Sequence, residues 1–267
     1  MIKQKRNHDG NRHVEEDRLV YYQKAATPEY WEDLWFKSVN AQMYEPYKTG
    51  KLFEFSKFFL THLPYTGLIL EAGCGSAQFV TALNARGYNC IGLDYAFNAI
   101  HRANQLVGPL RLICGDITAL GLANASFSAI ISIGVVEHRQ SGPEPFLKEM
   151  HRILQPGGVM LISVPYFNPL RRWRAKHGAY QDDVSELEFY QYAFTQKEFT
   201  SFLERSGFQV ERTYSYAHQN TLRQELHWLK RIPAYFQKII FRISKHVPYV
   251  NSELGHMLMV VARKKII

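Results

Sequence analysis

The chain has 267 residues, 46% of them hydrophobic, and a formal net charge of +8. A core of that size needs neither disulfides nor a structural metal, and no window reaches the roughly 18 apolar residues of a spanning helix. The charge permits nucleic acid, an anionic membrane or an acidic small substrate as partner and selects none of them.

Residues 1–18 are polar and charged, read as a weakly ordered tail with no export signal. From Val20 to Leu63 aromatics crowd the chain, among them Trp31, Trp35, Tyr44 and Tyr47, and Phe53, Phe55, Phe58 and Phe59 predict a helix over 51–63 that Pro64 closes. Residues 1–63 are therefore expected to be a tail and helical cap ahead of a main domain over 64–267. Strand and helix then alternate. Strands are expected at 68–71, 89–93, 110–114, 129–133 and 159–164, with helices at 77–86, 96–106 and 143–154. Short, almost wholly apolar strands suit burial on both faces of a parallel sheet, so the fold class is α/β and doubly wound.

The three cysteines, Cys74, Cys90 and Cys114, lie in or beside these strands. An odd number of such thiols points to a reducing compartment, hence the cytoplasm, and their spacing fits no zinc pattern, so no metal is expected. Beyond Pro165, "YFNPLRRWRAKHG" reads as a basic aromatic loop. Thr195 with Glu198 forms a capping-box signature for the next helix. A strand is expected at 208–216, a helical insert at 219–247 and a last strand at 257–262.

One stretch carries the chemistry. "LILEAGCGSAQ" runs from a strand into a glycine turn and a helix, with Glu71 just before the glycines. Such turns bring backbone and a helix N-terminus up to a ligand. A pyrophosphate there would be repelled by Glu71, at a cost on the order of 1–4 kcal/mol. A ligand that is cationic on this side fits better. Asp94 follows at the next strand end, at the distance where an acid meets ribose hydroxyls, and Asp116 at the third, where a carboxylate can accept from an adenine amino group. An ammonium, a ribose and an adenine without phosphate describe S-adenosylmethionine.

With "ILEAGCGSA", "IGLDYA", "GDI", "FSAIISIGVVEH" and "RILQPGGVMLISVP" in order, the chain resembles the class I S-adenosylmethionine-dependent methyltransferases over about 66–213, nearest to the small-molecule branch that includes the ubiquinone and menaquinone enzymes. The resemblance implies a seven-stranded Rossmann-like sheet with its last strand antiparallel. It also implies that Glu71, Gly73, Cys74 and Gly75 hold the methionine end. Asp94 would hold the ribose, with Tyr95 in the same cofactor-binding set, and Asp116 and Ile117 the adenine, while Ile133 and Gly134 floor the sulfonium. Ala77 stands where the family's third glycine would be.

Each residue has a plainer reading. Glu71 could stabilise a helix dipole, Asp94 could be a turn residue and Asp116 a cap. His138, beside Glu137 after the fourth strand, is the candidate general base or a structural imidazole. The metal-binding "E-x-x-E-H" run of some relatives is broken here at Gly134. Arg171, Arg172 and Trp173 read as a solvated loop or as recognition of an anionic substrate, with nucleic acid the weaker option. The insert carries Leu222, Leu226, Leu229, Ile232, Phe236, Ile239, Ile240 and Ile243 at helical spacing. Its cations are Arg223, Lys230, Arg231, Lys238, Arg242 and Lys245, set against Glu225 alone, with Pro233 and Pro248 as breaks. It is a lid or a peripheral contact with the inner membrane face. The expected activity is methyl transfer to a small or lipid-linked acceptor. The rivals are a cofactor-binding subunit without chemistry and a nicotinamide-dependent oxidoreductase.

Overall fold

The computed structural model describes residues 11–244, 247 and 253–266. Residues 1–10 of the expected tail, and Lys245 and Pro248 of the expected insert, lie outside them. The first described element is a hairpin, β1 (Asn11–Glu15) and β2 (Arg18–Gln23). This corrects the expected tail over 11–18. Leu19, Val20 and Tyr21 are buried, and β2 pairs with a strand about 170 residues later in the sequence, a partner no local pattern reveals. Three helices follow: α1 (Pro28–Ser38), capped by Thr27; α2 (Ala41–Lys48), capped by Asn40; and α3 (Ser56–His62), preceded by a 3-10 turn over Phe53–Phe55.

The alternating unit comes next, as β3 (Leu68–Ala72), α4 (Gln78–Ala85), β4 (Asn89–Asp94), α5 (Phe97–Val107), β5 (Leu112–Cys114), β6 (Phe127–Ile133), α6 (Glu144–Ile153) and β7 (Leu154–Pro165). The expected basic loop is a helix, α7 (Pro169–Lys176). Asn168 accepts from the Arg171 amide at 2.9 Å and Pro169 occupies the first turn, a start signal that the density of charge masks. The rest is β8 (Glu188–Ala193), α8 (Gln196–Arg205), β9 (Phe208–Tyr216), α9 (His218–Glu225), a 3-10 turn over His227–Arg231, α10 (Ala234–Ser244) and β10 (Met257–Lys264).

Seven strands form one sheet in the order β5-β4-β3-β6-β7-β10-β9. The first five are parallel, and β10 runs antiparallel to both β7 and β9. β1, β2 and β8 make a separate three-stranded sheet. Alternate residues of each central strand feed two cores. Leu70, Ile130, Met160 and Val260 pack with α6 and α8, while Ile69, Ile131, Leu161 and Val261 pack with α2 to α5. Burial of both faces accounts for the unbroken apolar runs in the sequence. It leaves the strand ends to the loops, and in open α/β sheets the ligand crevice lies at the C-terminal ends.

Candidate active site

At that edge lies a cleft of about 400 Å³. Its wall follows the sheet order, from Gly115, Asp116 and Ile117 beyond β5, through Asp94 and Tyr95 at β4 and Gly73 at β3, to Ile133 at the end of β6 and Gly134, Val135, His138 and Arg139 beyond it. Trp31 and Trp35 of α1, with Ala26, Pro28 and Phe146, complete it.

The glycine turn spends its own amides. Gly73 and Cys74 N–H donate to the Leu93 carbonyl at 2.8 and 3.0 Å, and Gly75 N–H donates to Asp94 Oδ2 at 2.7 Å. Gly73 has φ +81°, and a Cβ there would sit 2.4 Å from Val135 Cγ2. A phosphate arriving at this turn would find an acid in possession of the amide it needs, which argues against a dinucleotide. Asp94 Oδ1 accepts from Ala96 N–H at 2.9 Å, so the carboxylate ties the turn to the start of α5. Burial pushes its pKa up, with the backbone donors opposing. Asp116 Oδ1 accepts from both the amide and the hydroxyl of Thr118 at 2.8 Å, leaving Oδ2 its acceptor capacity.

His138 stands at the other end. Its Nδ1 lies 2.9 Å from the Tyr190 carbonyl. A carbonyl only accepts, so the proton sits on Nδ1 and Nε2 keeps its lone pair. Burial drives the imidazole pKa down to about 4, partly offset by that bond, so the ring is neutral at physiological pH. Trp31 and Tyr190 pack against it edge-on at 4.8 and 4.9 Å.

Residues 70–162, spanning β3 to β7, match the family model described as a methyltransferase domain. The chain is 29% identical over 153 residues to a protein of Mycolicibacterium smegmatis described as a probable S-adenosylmethionine-dependent methyltransferase, covering 56% of this chain and 55% of that one. Over residues 70–162 the chain is thus similar to the class I S-adenosylmethionine-dependent methyltransferases. It is also 30% identical over 121 residues to a ubiquinone biosynthesis O-methyltransferase of Ruegeria pomeroyi, covering 43% and 48% of the two chains. The chain thus spans about half the length of the curated relatives it matches. Among solved structures, a Burkholderia thailandensis 1,6-didemethyltoxoflavin-N1-methyltransferase with bound S-adenosylhomocysteine superposes with a TM-score of 0.52. That match is at 16% identity and covers 96% and 100% of the two chains, so it speaks for the fold.

The cleft suits S-adenosylmethionine, the cofactor of that family. Two carboxylates line its β4 and β5 end, and the glycine turn offers no free amide to phosphate at Gly73, Cys74 or Gly75. Of the residues expected to bind the cofactor, Gly73, Asp94, Tyr95, Asp116, Ile117, Ile133 and Gly134 are on the wall. Glu71, Cys74 and Gly75 lie off it. Glu71 is buried, and its Oε2 accepts from Val80 N–H at 3.0 Å. It supplies the first turn of α4 with the cap that Ala77 lacks. Burial raises its pKa to about 8, against the pull of that amide. The expected ammonium contact is thereby corrected to a buried cap: strand parity puts Glu71 on the same face as Ile69, toward α4.

Arg171 is also corrected. It is fully buried and bonded to Glu225, the Tyr166 carbonyl, Gln224 and His256, so it faces no substrate. Arg172 and Trp173 are exposed, and neither lines the cleft. Arg172 borders a separate depression with Lys176 and Lys197. The cation that does line the cleft, Arg139, directly follows the Glu137–His138 pair in sequence, and that adjacency was its one available signal.

Glu137 is buried behind His138, with Oε1 at 4.0 Å from Nε2 and Oε2 without a hydrogen-bond partner among the described residues. Burial pushes its pKa to about 8, so both members of the pair are neutral near pH 7. A raised pKa favours the fold most below the unfolded value of about 4.3, and that advantage fades as pH rises toward 8. Glu137→Gln should therefore come nearest the parent in urea unfolding at about pH 4 and gain on it by up to about 1.4 kcal/mol per pH unit as pH rises through this window. A difference that does not change with pH would mean that the buried carboxyl is ionised in the fold.

Proposed function

We propose that this protein transfers a methyl group from S-adenosylmethionine to a nucleophile on a small or lipid-linked acceptor. The observation carrying this reading is the polarity of the cleft, with acids at the β4 and β5 ends and an unprotonated imidazole nitrogen beyond β6. The cofactor supplies a methyl group already activated on a sulfonium. Asp94 and Asp116 would hold its nucleoside, and the Gly73 turn lets the backbone come close. Trp31 and Trp35 exclude water from the cleft. His138 Nε2 accepts a hydrogen bond from the acceptor and takes its proton where the nucleophile is a hydroxyl. An oxygen nucleophile is supported by the relative named for O-methylation in ubiquinone biosynthesis. Arg139 would pair with an acidic group on the acceptor, the role expected of Arg171 and Arg172.

Calorimetry with S-adenosylhomocysteine and NAD, followed by turnover with a pool of hydroxylated and amphiphilic acceptors, tests the reading. The thioether nucleoside should bind and NAD should not; the reverse overturns it. With an acceptor found, His138→Ala should lower kcat by about 10²-fold, the low end for a general base, because so acidic an imidazolium marks a weak base. An imidazole with a pKa of about 4 is already unprotonated at pH 6. The parent rate should therefore show no histidine-like fall between pH 8 and pH 6, and an inflection near 6.5 would count against it.

A further inference from the structure

The insert has two apolar faces, and one of them has no partner among the described residues. On the inner side of α10, Phe241 and Ile240 pack with Leu222, Leu226, Leu229 and Ile232. On the outer side Tyr235, Phe236, Ile239 and Ile243 are 69%, 54%, 39% and 62% exposed. Spaced i, i+1, i+4 and i+8, they form a single stripe. Trp228, in the preceding 3-10 turn, is 55% exposed as well. Lys238 and Arg242, each one residue ahead of a stripe isoleucine, are exposed beside it, and Arg231 is exposed in the preceding turn. No salt bridge joins these three cations to a carboxylate among the described residues. The sole acid between residues 217 and 247 is Glu225, which is buried and engaged by arginines.

We propose that the outer face of α10 docks the protein on an anionic phospholipid surface. An apolar stripe with tryptophan and tyrosine, rimmed by cations and lacking acids, is complementary to headgroups over acyl chains. A second copy is a poor occupant, since it would bring the same unpaired cations to the same face. Topology places the surface usefully. β9 is parallel to β7, so the chain enters the insert at the edge of the sheet that holds the cleft. The inference does not rest on methyl transfer, because vesicle binding reads it without turnover.

The full chain is floated with vesicles of phosphatidylcholine alone or with 30% phosphatidylglycerol, at low and high salt. Binding should require the anionic lipid and fall at least tenfold at high salt. Ile239→Ser with Ile243→Ser, and separately Lys238→Glu with Arg242→Glu, should each reduce it at least tenfold while S-adenosylhomocysteine binding and circular dichroism are retained. Equal binding to both vesicle types, no binding at low salt, or unaffected variants would overturn the proposal. So would a dimer in sedimentation that both variants dissolve, which would assign the face to a second copy.

Discussion

Glu225→Gln is expected to lower the unfolding free energy by about 3–5 kcal/mol, the cost of leaving buried cations without their counter-ion. Glu225 Oε1 accepts from Arg12 Nη1 at 2.7 Å and Arg171 Nε at 3.1 Å, while Oε2 accepts from the Tyr180 hydroxyl at 2.5 Å and lies 3.2 Å from Arg174 Nε. Three guanidiniums surround one carboxylate, and the Arg12 and Arg171 side chains are at most 9% exposed. Burial raises the Glu225 pKa, but Arg12, Arg171 and the tyrosine outweigh it, so the carboxyl titrates below its ordinary range. His256, which accepts from Arg171 at 2.7 Å, is held down to about 3 by burial and then by Arg171 and Arg12. Both shifts act in one direction. A lowered carboxyl pKa gives stability that is lost as pH falls through it, and a histidine buried neutral loses its advantage as pH falls below about 6.5. The cluster is therefore a source of acid sensitivity. At roughly 2–4 °C per kcal/mol for a chain of this size, the variant should lose on the order of 10 °C in Tm at pH 7. Because the cluster joins β1, α7, α9 and the segment before β10, amides of the N-terminal hairpin should exchange faster in the variant. Adding Arg12→Met should recover part of the loss, since it removes one stranded charge. Losses that simply add would show that Arg12 and Glu225 do not share the interaction.

That cluster also marks the limit of what the sequence discloses. The strands from β3 to β7 are legible because each is a local apolar run closed by local turn residues, and the acids at their tips fall at intervals set by the β-α-β unit. The hairpin over 11–23 is not legible. Its strands carry Arg12, His13, Glu15 and Arg18 as well as apolar residues, and its pairing partner is β8. Arg171 reads as a surface cation because its counter-ion lies 54 residues further on. Glu71 shows the subtler failure. Its position at a strand end is visible, but whether it faces a ligand or a helix depends on which face of the sheet it shares. Parity with Ile69 decides that only once α4 is known to cover that face. Arg139 is not legible either, because a lone arginine after a 3-10 turn carries no pattern of its own.

Asp94→Asn should weaken S-adenosylhomocysteine binding by about 5- to 150-fold, or roughly 1–3 kcal/mol, the worth of hydrogen bonds to a charged group. The carboxylate has two tasks that the variant must separate. It holds Gly75 and Ala96 by their amides, and it faces the cleft with its remaining lone pairs. Asparagine keeps one acceptor oxygen and sets an N–H against the other donor, so the turn loosens even without ligand. The ribose contact is isolated by a second ligand, the 2′,3′-dideoxy form of the same nucleoside. The parent should bind that form more weakly than the natural thioether, whereas Asp94→Asn should hardly distinguish the two. The coupling in this cycle belongs to the contact alone, because loosening of the turn affects both ligands equally. Asp94→Ala would confuse the two tasks, since it strands two backbone donors and costs stability as well as affinity. Discrimination that survives in Asp94→Asn would confine Asp94 to building the turn and leave the ribose to another group on the wall.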